Sequence, residues 1–131
     1  MVRYLLDSDV LIWVLRNRKE TVRLVDRLVE ESGETVACSA LSLLEVWAGS
    51  KPSEVSRTAA FFDTLEIIPV SGEIAKRADE LLKAHHRAHD PREWIDALIA
   101  ATALEQRLTL ITYNQRDYPY HDLTLYPLTE S

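Results

Sequence analysis

The chain has one cysteine, Cys38, in 131 residues, so no disulfide forms within it. A lone cysteine fits a reducing compartment. In Thr35-Val36-Ala37-Cys38 it reads as a small buried strand residue. No run approaches the ~20 apolar residues of a membrane span. Asp7 and Asp9 interrupt the N-terminal apolar run too early for a secretory signal. There is no internal repeat, no low-complexity tract and, with three glycines, no Gly/Ser linker. Basic residues are also scarce: 15 Lys and Arg stand against 21 Asp and Glu, for a net charge of −6. That argues against broad, non-specific nucleic-acid binding through a basic surface. It does not exclude a nucleic-acid enzyme, because a carboxylate-rich metal site lowers the formal charge while its cations go uncounted. A cytoplasmic protein with no membrane partner is expected.

What is present is an ordinary soluble balance, 47% hydrophobic and 27% charged. The length suits one domain over residues 1–131, able to bury roughly two-thirds of its unfolded surface. Strands are expected at 2–6, 35–38, 67–70 and 108–112, with a short last one at 123–125. Helices are expected at 9–16, 19–31, 40–48, 53–64, 72–88 and from Pro91 to about residue 106. Val22, Val25, Leu28 and Val29 give the second helix its apolar stripe, and Ser32-Gly33 stops it. Ser39 and Ser71 are placed to cap helices, and Gly49 sits at an expected stop. Asp90-Pro91-Arg92-Glu93 reads as an N-cap, a first helical proline and a capping box. Strands alternating with helices imply an α/β fold, a parallel sheet between helical layers. Ligands of such sheets bind beyond the carboxyl ends of the strands, where Asp7 and Thr112 lie.

Four acids occupy costly places. Asp7 ends the apolar run Val2-Arg3-Tyr4-Leu5-Leu6, and its side chain should point into the ligand crevice. Asp9, a fifth acid, precedes a helix and reads first as its N-cap. Glu45 shares a helical stripe with Leu41, Ala48 and Gly49; it is either the edge of an apolar face or a ligand. Asp96 lies in Trp94-Ile95-Asp96-Ala97-Leu98-Ile99-Ala100-Ala101, apolar nearly all round and so expected to be central and buried. The helix dipole or a ligand role would stabilise it there. Asp117 follows Thr112 and Asn114 in a loop after a strand, where turn chemistry competes with function. Buried carboxylates are expensive unless paired or bound to metal, so a divalent cation is the simplest stabiliser if the four converge.

Arg16, Arg18, Lys19, Arg23 and Arg27 fall near the first acid. They either contact phosphate groups of a ligand or form solvated helix faces. His85 and His89 stand at i,i+4, a spacing that binds zinc, but with no obvious third ligand nearby. His121 reads as solvent-exposed.

Together these residues resemble the PIN-domain nucleases, most closely the toxin ribonucleases of VapBC-type toxin–antitoxin pairs. Tyr4-Leu5-Leu6-Asp7-Ser8-Asp9 resembles the first motif of that family and Ser39 to Gly49 the second, with Glu45 as its acid. Asp96 to Leu104 resembles the third, and Leu110 to Tyr118 the fourth. The resemblance covers essentially the whole chain. Asp9 stands where the family often has Asn, Tyr113 where Arg or a similar residue is common, and Tyr118 replaces a frequent Phe. The resemblance implies a three-layer α/β/α domain. It also implies Mg²⁺ or Mn²⁺ held by Asp7, Glu45, Asp96 and Asp117, with Ser8, Asp9, Thr112 and Asn114 around them. The implied activity is an endoribonuclease that cuts RNA phosphodiesters and inhibits translation. The implied partners are a small antitoxin that covers the acidic pocket and a second toxin copy, with Trp47, Phe61 and Phe62 as interface candidates.

Two readings compete within that family: an RNA-processing nuclease without an antitoxin, and an inactive metal-binding or interaction domain. A third lies outside it. Asp7-Ser8-Asp9 is a strand-end Asp-x-Asp, as in haloacid-dehalogenase-type phosphatases, where Asp7 would be the nucleophile. That reading leaves Glu45 and Asp96 unexplained.

Overall fold

The computed structural model describes residues 3–88 and 90–128. The chain opens with β1 (Arg3–Leu6) and α1 (Ser8–Leu15), followed by α2 (Lys19–Ser32), β2 (Ala37–Ser39) and α3 (Ala40–Ala48). Next come α4 (Val55–Phe62), β3 (Glu66–Ile68), α5 (Gly72–Ala84), α6 (Trp94–Gln106) and β4 (Leu108–Ile111). The four strands form one sheet in the order β3-β2-β1-β4, and every pairing is parallel. The expected sheet between helical layers is therefore what the chain builds.

Alternation along the strands sorts the two layers. Leu5 of β1 and Leu108 and Leu110 of β4 pack with Ile74, Ala78 and Leu82 of α5 and the alanines of α6. Tyr4 and Leu6 of β1, Cys38 of β2 and Ile111 of β4 face the other way. They meet Val10 and Leu11 of α1, Leu24, Val25 and Leu28 of α2, and Phe62 of α4. In α6, Ala97, Ile99, Ala100, Ala101 and Ala103 are all at most 1% exposed, so the helix is central as expected. Small side chains let it lie close to both α5 and the sheet. Its first turn is the exception, with Trp94 48% and Ile95 39% exposed. Cys38 is buried, and burial pushes its thiol up to about 12.

Several boundaries differ from expectation. Val2, His89 and the last three residues lie outside the described residues, so neither the full 2–6 strand nor the His85/His89 pair is described. His85 itself is engaged in packing: its Nδ1 lies 3.0 Å from the Leu81 carbonyl and its ring meets Tyr120 edge-on at 4.9 Å. The helix expected over 72–88 stops at Ala84. His86 turns left-handed (φ 57°), and the Arg87 and His86 N–H groups return to the Leu82 and Lys83 carbonyls, a Schellman stop built without glycine. The helix expected over 53–64 is a 3-10 turn, Pro52–Glu54, and then α4. Glu93 does not close the expected capping box. Asp90 caps through the Arg92 N–H at 3.0 Å, its own N–H goes to the Arg87 carbonyl, and Glu93 pairs with Arg87 at 2.7 Å. The strand expected at 123–125 shrinks to one bridge, Leu110 to Leu125, along the outer side of β4. Trp47, Phe61 and Phe62 do not form a free patch. Phe62 is buried, and the other two rings pack against it. Among the described residues, no helix is long and apolar enough to cross a membrane.

Candidate metal centre

The register Leu6 to Ile111 ends β1 and β4 side by side, so Asp7 and Thr112 emerge next to each other at the carboxyl edge of the sheet. The Asp7 N–H still bonds the Ile111 carbonyl at 3.0 Å, the last rung of that ladder. Asp7, not Asp9, is the N-cap of α1. It keeps extended backbone angles while its Oδ1 accepts from the Ser8 N–H at 2.8 Å. The cap expected at Asp9 falls instead on Asp7, because the helix starts at residue 8 and not 9.

Asp7 Oδ2 takes two more donors, the Thr112 hydroxyl at 2.9 Å and the Tyr118 phenol at 2.8 Å. Only 8% of Asp7 is exposed. Burial pushes its carboxyl above the ordinary carboxylate range; the three donors oppose this, and the charge of Asp117 adds to it. Asp96, on the first turn of α6, is half-buried, and its Oδ1 lies 3.4 Å from the same phenol oxygen. Burial, then the charges of Asp7 and Asp117, carry it up to about 7. Asp117 itself sits at the surface on a 3-10 turn, Gln115–Asp117. Glu45 is exposed on α3, and its Oε1 accepts from the Ser8 hydroxyl at 2.9 Å. A continuous set of contacts thus runs Glu45, Ser8, Asp7, Tyr118, Asp96.

Asp9 lies in the first turn of α1 and works as a tie rather than a cap. Its Oδ2 accepts the Tyr113 N–H at 2.8 Å, its Oδ1 accepts the Val10 N–H at 2.8 Å, and the Thr112 hydroxyl stands 3.5 Å away. Burial first and the charge of Asp7 second raise it to about 6. Asn114 contributes its backbone: its N–H bonds Thr112 Oγ1 at 3.1 Å, while the residue is exposed. Tyr118 was not foreseen as part of this centre. Its ring is buried in the layer of α5 and α6, and burial together with the facing carboxylates holds its phenol far above the ordinary tyrosine value. It is therefore a permanent neutral donor. In the sequence it shows only as a tyrosine in the place of a frequent phenylalanine.

The basic residues near α1 are arranged by the end of that helix. Asn17 is left-handed (φ 58°), and the Arg18 N–H returns to the Trp13 carbonyl at 3.0 Å. This brings the Arg18 guanidinium 4.7 Å from the centre of the Trp13 ring and 5.5 Å from that of Tyr113. Glu20 also faces it at 3.4 Å. Arg16 lies 5.8 Å from the same Trp13 ring, and Lys19 is exposed at the start of α2. Beside Glu45 a groove of about 380 Å³ runs between α1, α3 and α4, lined by Ile12, Leu15, Val46 and Thr58 with Arg16 and Lys51.

Among the described residues, no three Asp, Glu, His or Cys side chains are close enough to form a closed metal cage. An open pair of carboxylates is nonetheless what Mg²⁺ takes, since it keeps several waters and binds one or two protein carboxylates plus phosphate. The donor set is all oxygen and suits a hard cation. The raised Asp7 and Asp96 are the acids that positive charge would relieve.

The PIN domain model matches residues 4–120. Ribonuclease VapC19 of Mycobacterium tuberculosis is 31% identical over 115 residues, 88% of this chain and 91% of that protein. Ribonuclease VapC10 of the same organism is 34% identical over 116 residues, 88% and 85% of the two chains. A toxin–antitoxin complex from Klebsiella pneumoniae contains a chain of similar structure, with a TM-score of 0.78 at 29% identity, covering 95% of this chain and 98% of that one. With a matching family model over most of its length and ribonucleases this similar to it, the chain belongs to the PIN-domain family, among its VapC-type members.

Proposed function

We propose that this VapC-type ribonuclease is the toxin of a toxin–antitoxin pair, a Mg²⁺-dependent endoribonuclease that hydrolyses RNA phosphodiesters and acts as one domain in the cytoplasm. The carrying observation is the convergence of Asp7 and Asp96 on one phenol oxygen at the carboxyl edge of the sheet, with Glu45 joined to them through Ser8.

Asp7 and Asp96 would hold the cation, with Glu45 and Asp117 reaching it through its waters, and Mn²⁺ is an alternative. When bound, it supplies a more acidic water and neutralises charge on the phosphate. The chain's own residues do the rest. Thr112 and the Ser8 N–H fix both oxygens of Asp7. Ser8 turns Glu45 toward the same edge, and Asp9 anchors the loop carrying Thr112 through the Tyr113 N–H. Arg18, seated on Trp13 and Tyr113, and Arg16 and Lys19 beside it take the flanking RNA phosphates. The groove beside Glu45 accepts a segment of the antitoxin, whose basic side chain would face the acids. The resemblance also supports a homodimer.

The toxin reading is favoured over an antitoxin-free nuclease by the VapC relatives and the Klebsiella pneumoniae complex. Asp96→Asn tests the centre. Circular dichroism should be unchanged, while cleavage of total RNA in Mg²⁺ falls at least about a hundredfold, beyond what loss of a supporting residue costs. Full Mg²⁺-dependent cleavage by a folded Asp96→Asn protein would sink the assignment.

A further inference from the structure

Tyr118 joins the two acids that most need company. Its ring is 3% exposed and fixed in the apolar layer beneath α6. The residue closes the 3-10 turn Gln115–Asp117, with its N–H on the Gln115 carbonyl at 3.0 Å. Ring and backbone being held, the hydroxyl has one position, 2.8 Å from Asp7 Oδ2 and 3.4 Å from Asp96 Oδ1. A phenol carries one proton, so the short contact to Asp7 uses it and the longer one to Asp96 shares it poorly. Asp7 Oδ2 already accepts from Thr112. Among the described residues, Tyr118 is the only side chain that bridges both acids.

We propose that the Tyr118 hydroxyl is a built-in placeholder that steadies Asp7 and Asp96 in the metal-free protein and competes with the divalent cation for their oxygens. The inference rests on the reading of Asp7 and Asp96 as metal ligands and adds to it a residue that sets affinity. The hydroxyl lowers the energy of the empty centre more than that of the loaded one. It thereby keeps the fold intact without metal, at the cost of weaker binding.

The test is Tyr118→Phe, which removes one oxygen and keeps the ring. Calorimetric titration with MgCl₂ and MnCl₂, without RNA, reads the affinity directly. A hydrogen bond to a charged group is worth enough to make binding about tenfold tighter in the variant. Metal-free Tm should fall, and saturating Mg²⁺ should raise Tm more in the variant than in wild type. A purely structural role lowers both melting temperatures equally and leaves affinity unchanged. Thr112→Val, which removes a donor from Asp7 without touching Asp96, should tighten binding less than Tyr118→Phe does.

Affinity that is equal or weaker in Tyr118→Phe overturns the proposal. If wild type and variant both bind no divalent ion, the metal-centre reading fails and takes this inference with it. If wild type binds and the variant gains nothing, only the inference fails. A second measurement needs no variant. The ¹³Cζ resonance of Tyr118 in the wild-type protein should shift as Mg²⁺ saturates, and an unmoved resonance counts against the placeholder role.

Discussion

The Ser8 hydroxyl donates to Glu45 Oε1 at 2.9 Å, joining the start of α1 to the middle of α3 across 37 positions. Ser8 is 7% exposed and Glu45 lies at the surface, so the bond aims an exposed acid from a buried base. Ser8→Ala should cut Mg²⁺ affinity or RNA cleavage about 10- to 100-fold, the usual cost of losing a group that orients a ligand. Stability should change by only about 1 kcal/mol. Cleavage kinetics at several Mg²⁺ concentrations, beside a thermal melt, check both parts.

Metal-free stability should decline with rising pH. Asp9 titrates at about 6 and Asp96 at about 7, both up from an ordinary 3.8. A carboxyl raised in the folded state binds its proton more tightly there than in the unfolded chain. Its favourable contribution is complete below about pH 4 and is lost as pH climbs through the folded-state value. Stability in EDTA should therefore fall between about pH 4 and pH 7. Asp96→Asn should remove the upper part of that slope, and Mg²⁺ should flatten it in wild type. Urea denaturation across the pH range reads this. A wild-type slope no steeper than that of Asp96→Asn would contradict it.

Arg18 should register as one phosphate contact. In EDTA, where binding is separated from cleavage, the affinity for a single-stranded RNA should fall with salt. Arg18→Gln should reduce the slope of log K against log salt by about 0.7. Trp13→Leu, which leaves the charge but removes its seat, should weaken binding with a smaller change in slope. Fluorescence anisotropy over a salt series measures this, and identical slopes for wild type and Arg18→Gln would refute the contact.

The two faces of α2 should differ sharply. Leu28 is fully buried and Val29 is 39% exposed. Leu28→Ala should cost about 2–5 kcal/mol, and Val29→Ala about 0.5 kcal/mol or less. Both should retain cleavage per folded molecule, since α2 supplies no acid to the centre. Chemical denaturation beside activity at low temperature tests the pair.

The parts of this fold that were legible in the sequence are those with local causes. Ser39 caps α3 through the Leu41 N–H, and the helix spans the expected 40–48. The apolar run of β1 and the nearly all-apolar stretch of α6 read correctly as a buried strand and a central, buried helix. What the local sequence does not reveal depends on partners far along the chain or on unusual helix stops. Asn17, His86 and Arg107 take the left-handed conformation that glycine normally signals. Asp9 was read as a local cap, but its decisive partner is the Tyr113 N–H, 104 positions away. Tyr118 looked like a minor replacement because nothing in its neighbourhood reveals that its hydroxyl meets an acid 111 positions earlier.

That separation governs when the enzyme becomes dangerous. β1 is made first, yet one of its two neighbours in the sheet is β4, the last strand, and the donors on Asp7 Oδ2 come from Thr112 and Tyr118. A nascent chain that has not yet released these residues from the ribosome lacks one wall of its own centre. The centre can therefore form only after Thr112 and Tyr118, 105 and 111 positions beyond Asp7, have been made and β4 has paired with β1.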